Sequence, residues 1–165
     1  MTEFTHLDSK GHVRMVDVTD KQPTVRTAVA RGRVSMTQQT FELIQTQSVK
    51  KGNVLETARI AGIMAAKKTS ELIPMCHPLN VTHVGVEFIP DMNSNSIVIN
   101  ATARMSGPTG VEMEALTAVS IAALTIYDMC KSYDKSMVIS GICLLEKTGG
   151  KSGHFVRKHP PELVD

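Results

Sequence analysis

The sequence predicts an α+β fold of the ferredoxin-like type, in which a split βαβ arrangement gives an antiparallel sheet with helices on one face. Two observations support this prediction. Segments with strand and helix periodicity follow one another in the order β-α(α)-β-β-α-β. The chain has 165 residues, which is enough for one domain with its own core.

The first half of the chain contains one predicted strand and two predicted helices. Alternating apolar side chains predict a strand over 25–36. Apolar residues at helical spacing predict a helix over 37–49, and a Lys-Lys-Gly run interrupts it. Asn53 is a good N-cap, and Glu56 stands three positions later as in a capping box, so a second helix begins here. We expect this helix to end before Pro74.

The second half predicts a hairpin, a long helix and a final strand. Alternation predicts strands over 81–89 and 96–105, joined by an Asp-Met-Asn-Ser-Asn turn. A helix is predicted over 111–131, and its charge-free centre is too short to span a bilayer, which is typical of a buried helix. The last strand is predicted over 137–145. One sheet face would be bare in a monomer, which favours an oligomer.

The termini and the cysteines bear on domain organisation and location. Polar residues 1–20 predict a flexible arm and 159–165 a tail, so that 21–158 form one catalytic domain. No apolar signal peptide is visible, and the three cysteines lack disulfide spacing. We therefore expect reduced thiols in a cytoplasmic protein with no membrane segment. The cysteines are Cys76, Cys130 and Cys143.

The composition excludes several classes of protein. Apolar residues make up 42% of the chain, which excludes general disorder. A net charge of +2 is too balanced for a dedicated nucleic-acid binder. Aromatic residues make up only 4% and tryptophan is absent, so a base-stacking surface is not expected.

The predicted long helix carries charged residues at both ends. Asp128 and Lys131 are neighbours three positions apart, and apolar flanks suggest partial desolvation. Burial would raise the Asp pKa and lower the Lys pKa, while their attraction opposes both shifts. A lysine near neutrality is a general acid or base, whereas an exposed salt bridge is the structural alternative. Helical spacing places Glu114 and Thr117 on the face of Asp128, with Leu116 on the sheet side.

Three further segments have both a functional and a structural interpretation. The acidic run 112–114 suits a helix start, or supplies paired acceptors for a purine-like base. The turn 74–78 is a ligand-contacting loop or a rigid turn with a hydrogen-bonded His77, and it lacks the second ligand pair of a metal site. Lys50-Lys51-Gly52 before a helix is a phosphate site or a solvated lysine pair.

The glycine-rich segment 148–153 is predicted to be flexible. Its Gly-Gly-Lys-Ser run looks like the end of a P-loop, but Leu145 stands where the first glycine is required, and no helix follows. It remains possible that this segment is a mobile basic loop that closes over an anion.

Several long motifs together resemble the MoaC family of molybdenum cofactor biosynthesis. They are MVDV at 15–18, KGNVLETARIAGIMAAKKTSELIPMCHPL at 51–79, TGVEMEALTAVS at 109–120, YDMCK at 127–131 and LEKTGGKSG at 145–153. The resemblance covers nearly the whole chain. It implies a lyase that converts 3′,8-cyclo-7,8-dihydroguanosine triphosphate to cyclic pyranopterin monophosphate and releases pyrophosphate. It also implies a homohexamer, built as a trimer of dimers with active sites at subunit interfaces.

The resemblance also implies residue roles, with no metal or redox cofactor demanded. Asp128, Lys51 and Lys131 match the family's catalytic residues. Lys147 and Lys151 are basic residues that are able to close over a triphosphate. The residues that match substrate contacts are Met75, Cys76, His77, Glu112, Met113 and Glu114, and the matching positions of undefined role are Asp17 and Arg26.

Two other classes of function remain open from the residues alone. Ferredoxin-like folds also serve as nucleotide-binding regulatory modules, which bind an intact nucleotide without turnover. A structural scaffold is the third hypothesis, in which the charged helix face pairs between subunits. Asn53 departs from the family pattern, where many members carry Asp, but both residues are N-caps.

Overall fold

A computed structural model describes residues 11–151 and 153–158 of the chain. The first ten residues of the predicted arm, Ser152 and the predicted tail 159–165 lie outside the described residues.

The described residues form five strands and four helices. Their order agrees with the predicted alternation, with one added strand at the end. The elements are β1 (Thr24–Ser35), α1 (Gln38–Gln45), α2 (Val54–Ala66), α3 (Thr69–Leu72), β2 (His83–Asp91), β3 (Ser96–Gly107), α4 (Glu112–Cys130), β4 (Val138–Thr148) and β5 (Phe155–Val156).

The strands form one antiparallel sheet in the order β2-β3-β1-β4-β5. The four longer strands have the ferredoxin-like order, so the predicted fold class is confirmed. In the central pair, Ala28 lies opposite Ala103 and Ala30 opposite Ala101, which sets the alternating side chains of both strands in one register. The hydrophobic core therefore forms on one face of the sheet.

Helix α4 is the centre of this core. It contacts β1, β3 and β4, and α2 packs against both α4 and β2. Small residues allow close approach: a Cβ at Gly32 of β1 would lie 2.6 Å from Val119 Cγ1, and one at Gly62 of α2 would lie 2.9 Å from the Ala118 carbonyl oxygen. Helix α4 is long and apolar enough to cross a membrane. Its packing accounts for that composition, because core helices meet the same criterion.

The burial of α4 corrects the predicted helix faces. Glu114 and Thr117, predicted to lie away from the sheet, are only 2% and 8% exposed, while Leu116 is half-buried. Helix α2 packs against another side of α4, where Gly62 lies against Ala118 and Ala122. A helix that packs against both a sheet and a second helix is buried on most of its circumference.

Other boundaries also differ from the prediction. Helix α2 ends at Ala66, because the backbone turns at Lys67 and the Thr69 hydroxyl donates to the Ala66 carbonyl. The short helix α3 follows, before Pro74. Strand β4 continues to Thr148, into the segment predicted to be flexible, and it pairs with β5, which is too short to give a periodic signal.

Asp134 ties the segment after α4 to the start of α1. One carboxylate oxygen accepts the Thr37 N–H at 2.8 Å, and the other accepts the Ser136 N–H at 2.8 Å and its hydroxyl at 2.6 Å. Asp134 is only 5% exposed. Burial alone would raise the pKa of Asp134, but these hydrogen bonds outweigh it and hold the pKa below the ordinary value of 3.8.

Asp134→Asn is expected to lower the free energy of unfolding by about 1–3 kcal/mol at neutral pH, because an amide leaves one buried donor unpaired. Since the folded pKa lies below the unfolded one, the carboxylate stabilises the protein above pH 3.8. That stabilisation is lost as pH falls through the folded pKa. Urea unfolding at neutral and acidic pH measures this contribution to the free energy of unfolding. Asp20→Asn is the control, because Asp20 is exposed. A difference between wild type and Asp134→Asn that stays constant with pH would contradict this prediction.

Candidate active site

Two lysines and one aspartate meet where α2 begins and α4 ends. Lys131 Nζ lies 2.7 Å from Asp128 Oδ1, and Lys51 Nζ lies 3.5 Å from Asp128 Oδ2. Lys51 Nζ also donates to the Asp128 carbonyl oxygen at 2.7 Å. Asp128 therefore bridges two ammonium groups, which we call the Lys-Asp-Lys cluster.

Local sequence explains how Lys51 reaches α4. Gly52 has φ +105°, a conformation that strongly favours glycine, and its N–H donates to the Val49 carbonyl at 3.0 Å. The Asn53 side chain then accepts the Glu56 N–H at 3.1 Å, which confirms the predicted N-cap. The Glu56 side chain pairs with Arg59. The tight turn directs the chain into α2, which packs along α4 and brings Lys51 to Asp128, 77 positions away.

The electrostatics of the cluster agree with the structural alternative, an exposed salt bridge, and not with partial desolvation. The hydrogen bond and charge of Lys131, followed by the charge of Lys51, hold the pKa of Asp128 below its ordinary value. The hydrogen bond and charge of Asp128 raise the pKa of Lys131. All three side chains are 45–61% exposed, so desolvation is too weak to produce the expected opposite shifts. In this subunit Asp128 is ionised and Lys131 carries a proton at neutral pH.

A second site lies at the other end of α4, in a cavity of about 690 Å³. Lys147 Nζ lies 2.7 Å from Glu112 Oε1, and the Arg26 guanidinium donates to the Gly107 and Pro108 carbonyls at 3.2 Å. Several basic side chains share this cavity with few carboxylates. Its basic lining consists of Lys21, Arg26, Lys147 and Lys151.

The glycine-rich loop closes one side of this cavity. Gly149 and Gly150 have φ +99° and +73°. A Cβ at Gly150 would lie 1.7 Å from Arg26 Nη1, and one at Gly149 would lie 2.3 Å from the Val25 carbonyl oxygen. Only glycine fits both this backbone conformation and this close approach. The loop thus brings backbone and Arg26 together at the mouth of the cavity.

The turn that contains Met75, Cys76 and His77 follows α3 and lies towards the same end of α4. His77 Nε2 lies 2.7 Å from the Val16 carbonyl oxygen, so the hydrogen-bonded histidine of the structural interpretation is present. Burial, followed by the charge of Glu114, raises the pKa of the Cys76 thiol. Burial and, less strongly, the charge of Glu112 also raise the pKa of Glu114.

The predicted site residues therefore fall into two groups. The Lys-Asp-Lys cluster stands at the C-terminal end of α4, whereas the acidic run 112–114, the 75–77 turn, Lys147 and Lys151 stand towards its N-terminal end. At 1.5 Å per residue, the 16 residues from Glu112 to Asp128 separate the two groups by about 24 Å along the helix. One subunit alone does not bring the groups together.

The sequence prediction missed Lys21 as a residue of the cavity. It follows the aperiodic segment that was interpreted as an arm, and no motif singles it out. For metals, residues 11–151 and 153–158 contain no group of three or more His, Cys, Asp or Glu side chains arranged to hold an ion.

Comparison with known proteins shows similarity over nearly the whole chain. The model of the MoaC family matches residues 15–150. Cyclic pyranopterin monophosphate synthase of Desulforapulum autotrophicum is 67% identical over 156 residues, which cover 94% of this chain and 96% of that protein. The proteins of the same name from Desulfatibacillum aliphaticivorans and Chloroflexus aurantiacus are 64% and 62% identical. These two alignments cover 96% and 94% of this chain, and 99% and 95% of the respective relatives.

Proposed function

Because this chain belongs to the MoaC family, we propose that it is a cyclic pyranopterin monophosphate synthase of molybdenum cofactor biosynthesis. As a lyase, it converts 3′,8-cyclo-7,8-dihydroguanosine triphosphate to cyclic pyranopterin monophosphate and pyrophosphate. The observation that carries the proposal is Asp128 bridging two ammonium groups, in a chain that matches synthases from end to end. The three free cysteines support a cytoplasmic location.

The cavity at the start of α4 is the proposed substrate-binding half of the site. Its lysines and Arg26 supply the positive charge that a triphosphate needs, and Lys147 and Lys151 lie on either side of Gly149 and Gly150 in the chain. The neighbouring turn with Met75, Cys76 and His77 and the run Glu112-Met113-Glu114 hold the guanine-derived ring and its ribose-derived part. The Glu112 carboxylate, which lines the cavity, is an acceptor for the N–H groups that such a ring presents.

The Lys-Asp-Lys cluster is the proposed proton-transfer half of the site. Ring opening, rearrangement and closure of the cyclic phosphate each require a proton to move. We assign the proton donor to Lys131, whose ammonium group carries a transferable proton and is held in one direction by the 2.7 Å contact with Asp128. Lys51 is the partner acid or base, or contacts phosphate. Both ammonium groups stabilise the negative charge of departing pyrophosphate.

The separation of about 24 Å between these halves requires a second subunit. A general acid acts within about 2.6–3.2 Å of the atom it protonates, so a ring held near Glu112 is out of reach of its own Lys131. A twofold dimer places the cluster of one protomer opposite the cavity of its partner, twice over. We therefore propose a homohexamer, a trimer of dimers, whose active sites form between protomers. The sheet face left uncovered by helices is available for such contacts.

Incubation of the purified protein with the cyclo-dihydro nucleotide is expected to give one pyrophosphate for each cyclic pyranopterin monophosphate. ³¹P NMR follows the phosphates, and mass spectrometry identifies the product. GTP itself is the control, because it lacks the additional ring closure and is expected to stay intact. Tight binding of the cyclo-nucleotide by calorimetry without any product would instead favour the regulatory module and contradict the synthase.

A further inference from the structure

Tyr133 links the segment after α4 to the connection that carries Lys51. Its N–H donates to the Cys130 carbonyl at 2.8 Å, which holds the residue against the last turn of α4. Its hydroxyl accepts the Lys50 N–H at 3.0 Å. The tyrosine therefore joins two segments that are 83 positions apart, directly beside both lysines of the Lys-Asp-Lys cluster.

The connection between α1 and α2 is anchored in the core by Val49, which is only 4% exposed, but the residues from Lys50 to Gly52 have few polar contacts that fix them. Lys50, Lys51 and Gly52 are all exposed. The Gly52 N–H bonds to Val49 within the same turn, so it shapes the turn without fixing its place against α4. Lys51 itself contacts Asp128 through a flexible side chain, which loses conformational entropy when it is held. The hydroxyl of Tyr133 fixes the backbone from which this side chain projects.

The Tyr133 side of the link is itself anchored. The next residue, Asp134, accepts the Thr37 N–H at 2.8 Å and caps the Ser136 turn, and it is almost fully buried. The segment after α4 is thus fixed to the start of α1. Movement of the Lys51 connection relative to α4 must break the Tyr133–Lys50 hydrogen bond.

We propose that Tyr133 is a positioning residue for Lys51, which holds the Lys50 backbone so that the Lys51 ammonium group stays on Asp128. This inference rests on the proposed catalytic role of Lys51. Phenylalanine keeps the ring but not the acceptor oxygen, so the Lys50 N–H of Tyr133→Phe is left to water and the connection shifts more freely. Because the tyrosine acts through Lys51, the change affects kcat more than KM.

Tyr133→Phe is expected to lower kcat by about three- to tenfold, the effect of one lost hydrogen bond, with KM within about twofold. Ser48→Ala is the matched control. It removes a hydroxyl hydrogen bond to the Thr46 carbonyl from the same connection but leaves the Lys50 N–H untouched, and wild-type kcat is expected. Far-UV circular dichroism and thermal unfolding establish that both variants are folded.

A second measurement separates positioning from a structural effect. Lys51 is one of the charges that lower the pKa of Asp128, so a displaced Lys51 lets that pKa rise. NMR titration of the ¹³C-labelled Asp128 carboxyl is therefore expected to show a higher midpoint in Tyr133→Phe than in wild type or Ser48→Ala. In a Lys51→Ala background the same tyrosine substitution is expected to shift nothing further.

Wild-type kcat and an unmoved Asp128 titration in Tyr133→Phe would overturn the inference. An equal shift in the Lys51→Ala background would also overturn it, because the effect would then not pass through Lys51. Failure of the proposed function is a different result. In that case wild type itself gives no product from the cyclo-nucleotide, and failure of the Lys51 role alone leaves Lys51→Ala as active as wild type, whatever the titration shows.

Discussion

Replacing Lys131 by alanine is expected to lower kcat for pyrophosphate release by about a thousandfold, while the subunit stays folded and assembled. The structure gives the physical reason. Lys131 Nζ lies 2.7 Å from Asp128 Oδ1, which holds in one direction the ammonium group that we propose as the proton donor. Its side chain is 53% exposed, so its removal leaves no buried cavity to destabilise the fold.

Lys131→Arg separates proton transfer from charge. A guanidinium group pairs with Asp128 as an ammonium does, but it does not give up its proton at any pH in which the protein is folded. If Lys131 transfers a proton, the arginine variant is expected to be nearly as inactive as the alanine variant. Single-turnover kinetics with the cyclo-nucleotide give the rate of the chemical step for both.

Lys135→Ala is the control for both variants. Lys135 is exposed and lies four residues beyond Lys131, and its side chain forms none of the contacts of the Lys-Asp-Lys cluster. We expect wild-type turnover. Substantial activity in Lys131→Arg would show that positive charge alone is sufficient. Dissociation of Lys131→Ala on size-exclusion chromatography would support the scaffold hypothesis instead.

The sequence allowed most of the fold to be predicted, because each strand and helix has its own periodicity. Strand β3 alternates from Ile97 to Met105, and all five of these alternate side chains are buried on the core face. The long helix was predicted to within one residue at each end. Periodicity does not show which other helices pack against a given helix. Periodicity therefore puts Glu114 on the face away from the sheet, although it is only 2% exposed.

The site was harder to predict than the fold. Lys131 and Asp128 are neighbours by helical spacing, but Lys51 reaches them only because α2 packs along α4. No local pattern shows this, and the family resemblance alone placed Lys51 with the other two. The sequence left burial and charge attraction as opposing effects on these pKa values, because apolar neighbours in sequence do not show whether a side chain at the end of a helix is buried. The exposure of both side chains and the 2.7 Å contact between Lys131 and Asp128 show that charge attraction sets the direction of both pKa shifts.

Restored activity in mixed oligomers is the second large effect that we expect. One variant, Lys131→Ala, lacks the proposed proton donor. The other, Glu112→Ala with Lys147→Ala, lacks the ion pair of the cavity, and removing both partners avoids leaving one charge unpaired. Each variant alone is expected to be nearly inactive. In a dimer that contains one of each, one of the two sites receives an intact cluster and an intact cavity.

Random pairing of equal amounts makes half of the dimers mixed, so about a quarter of all sites are expected to be intact. The two variants are co-expressed with different tags, and tandem affinity purification isolates the mixed oligomers. Lys135→Ala paired with the cavity variant is the control for co-expression. In this control both protomers carry an intact Lys-Asp-Lys cluster. Every site with an intact cavity is therefore expected to be active.

The turnover of these mixed oligomers tests most directly whether the cluster of one protomer acts on a substrate that another protomer holds. Recovery of about a quarter of the wild-type rate, both in unselected mixtures and in the purified mixed oligomers, is the predicted result. Mixed oligomers that remain as inactive as the two parent proteins would show that each subunit works alone, which would contradict an active site shared between protomers.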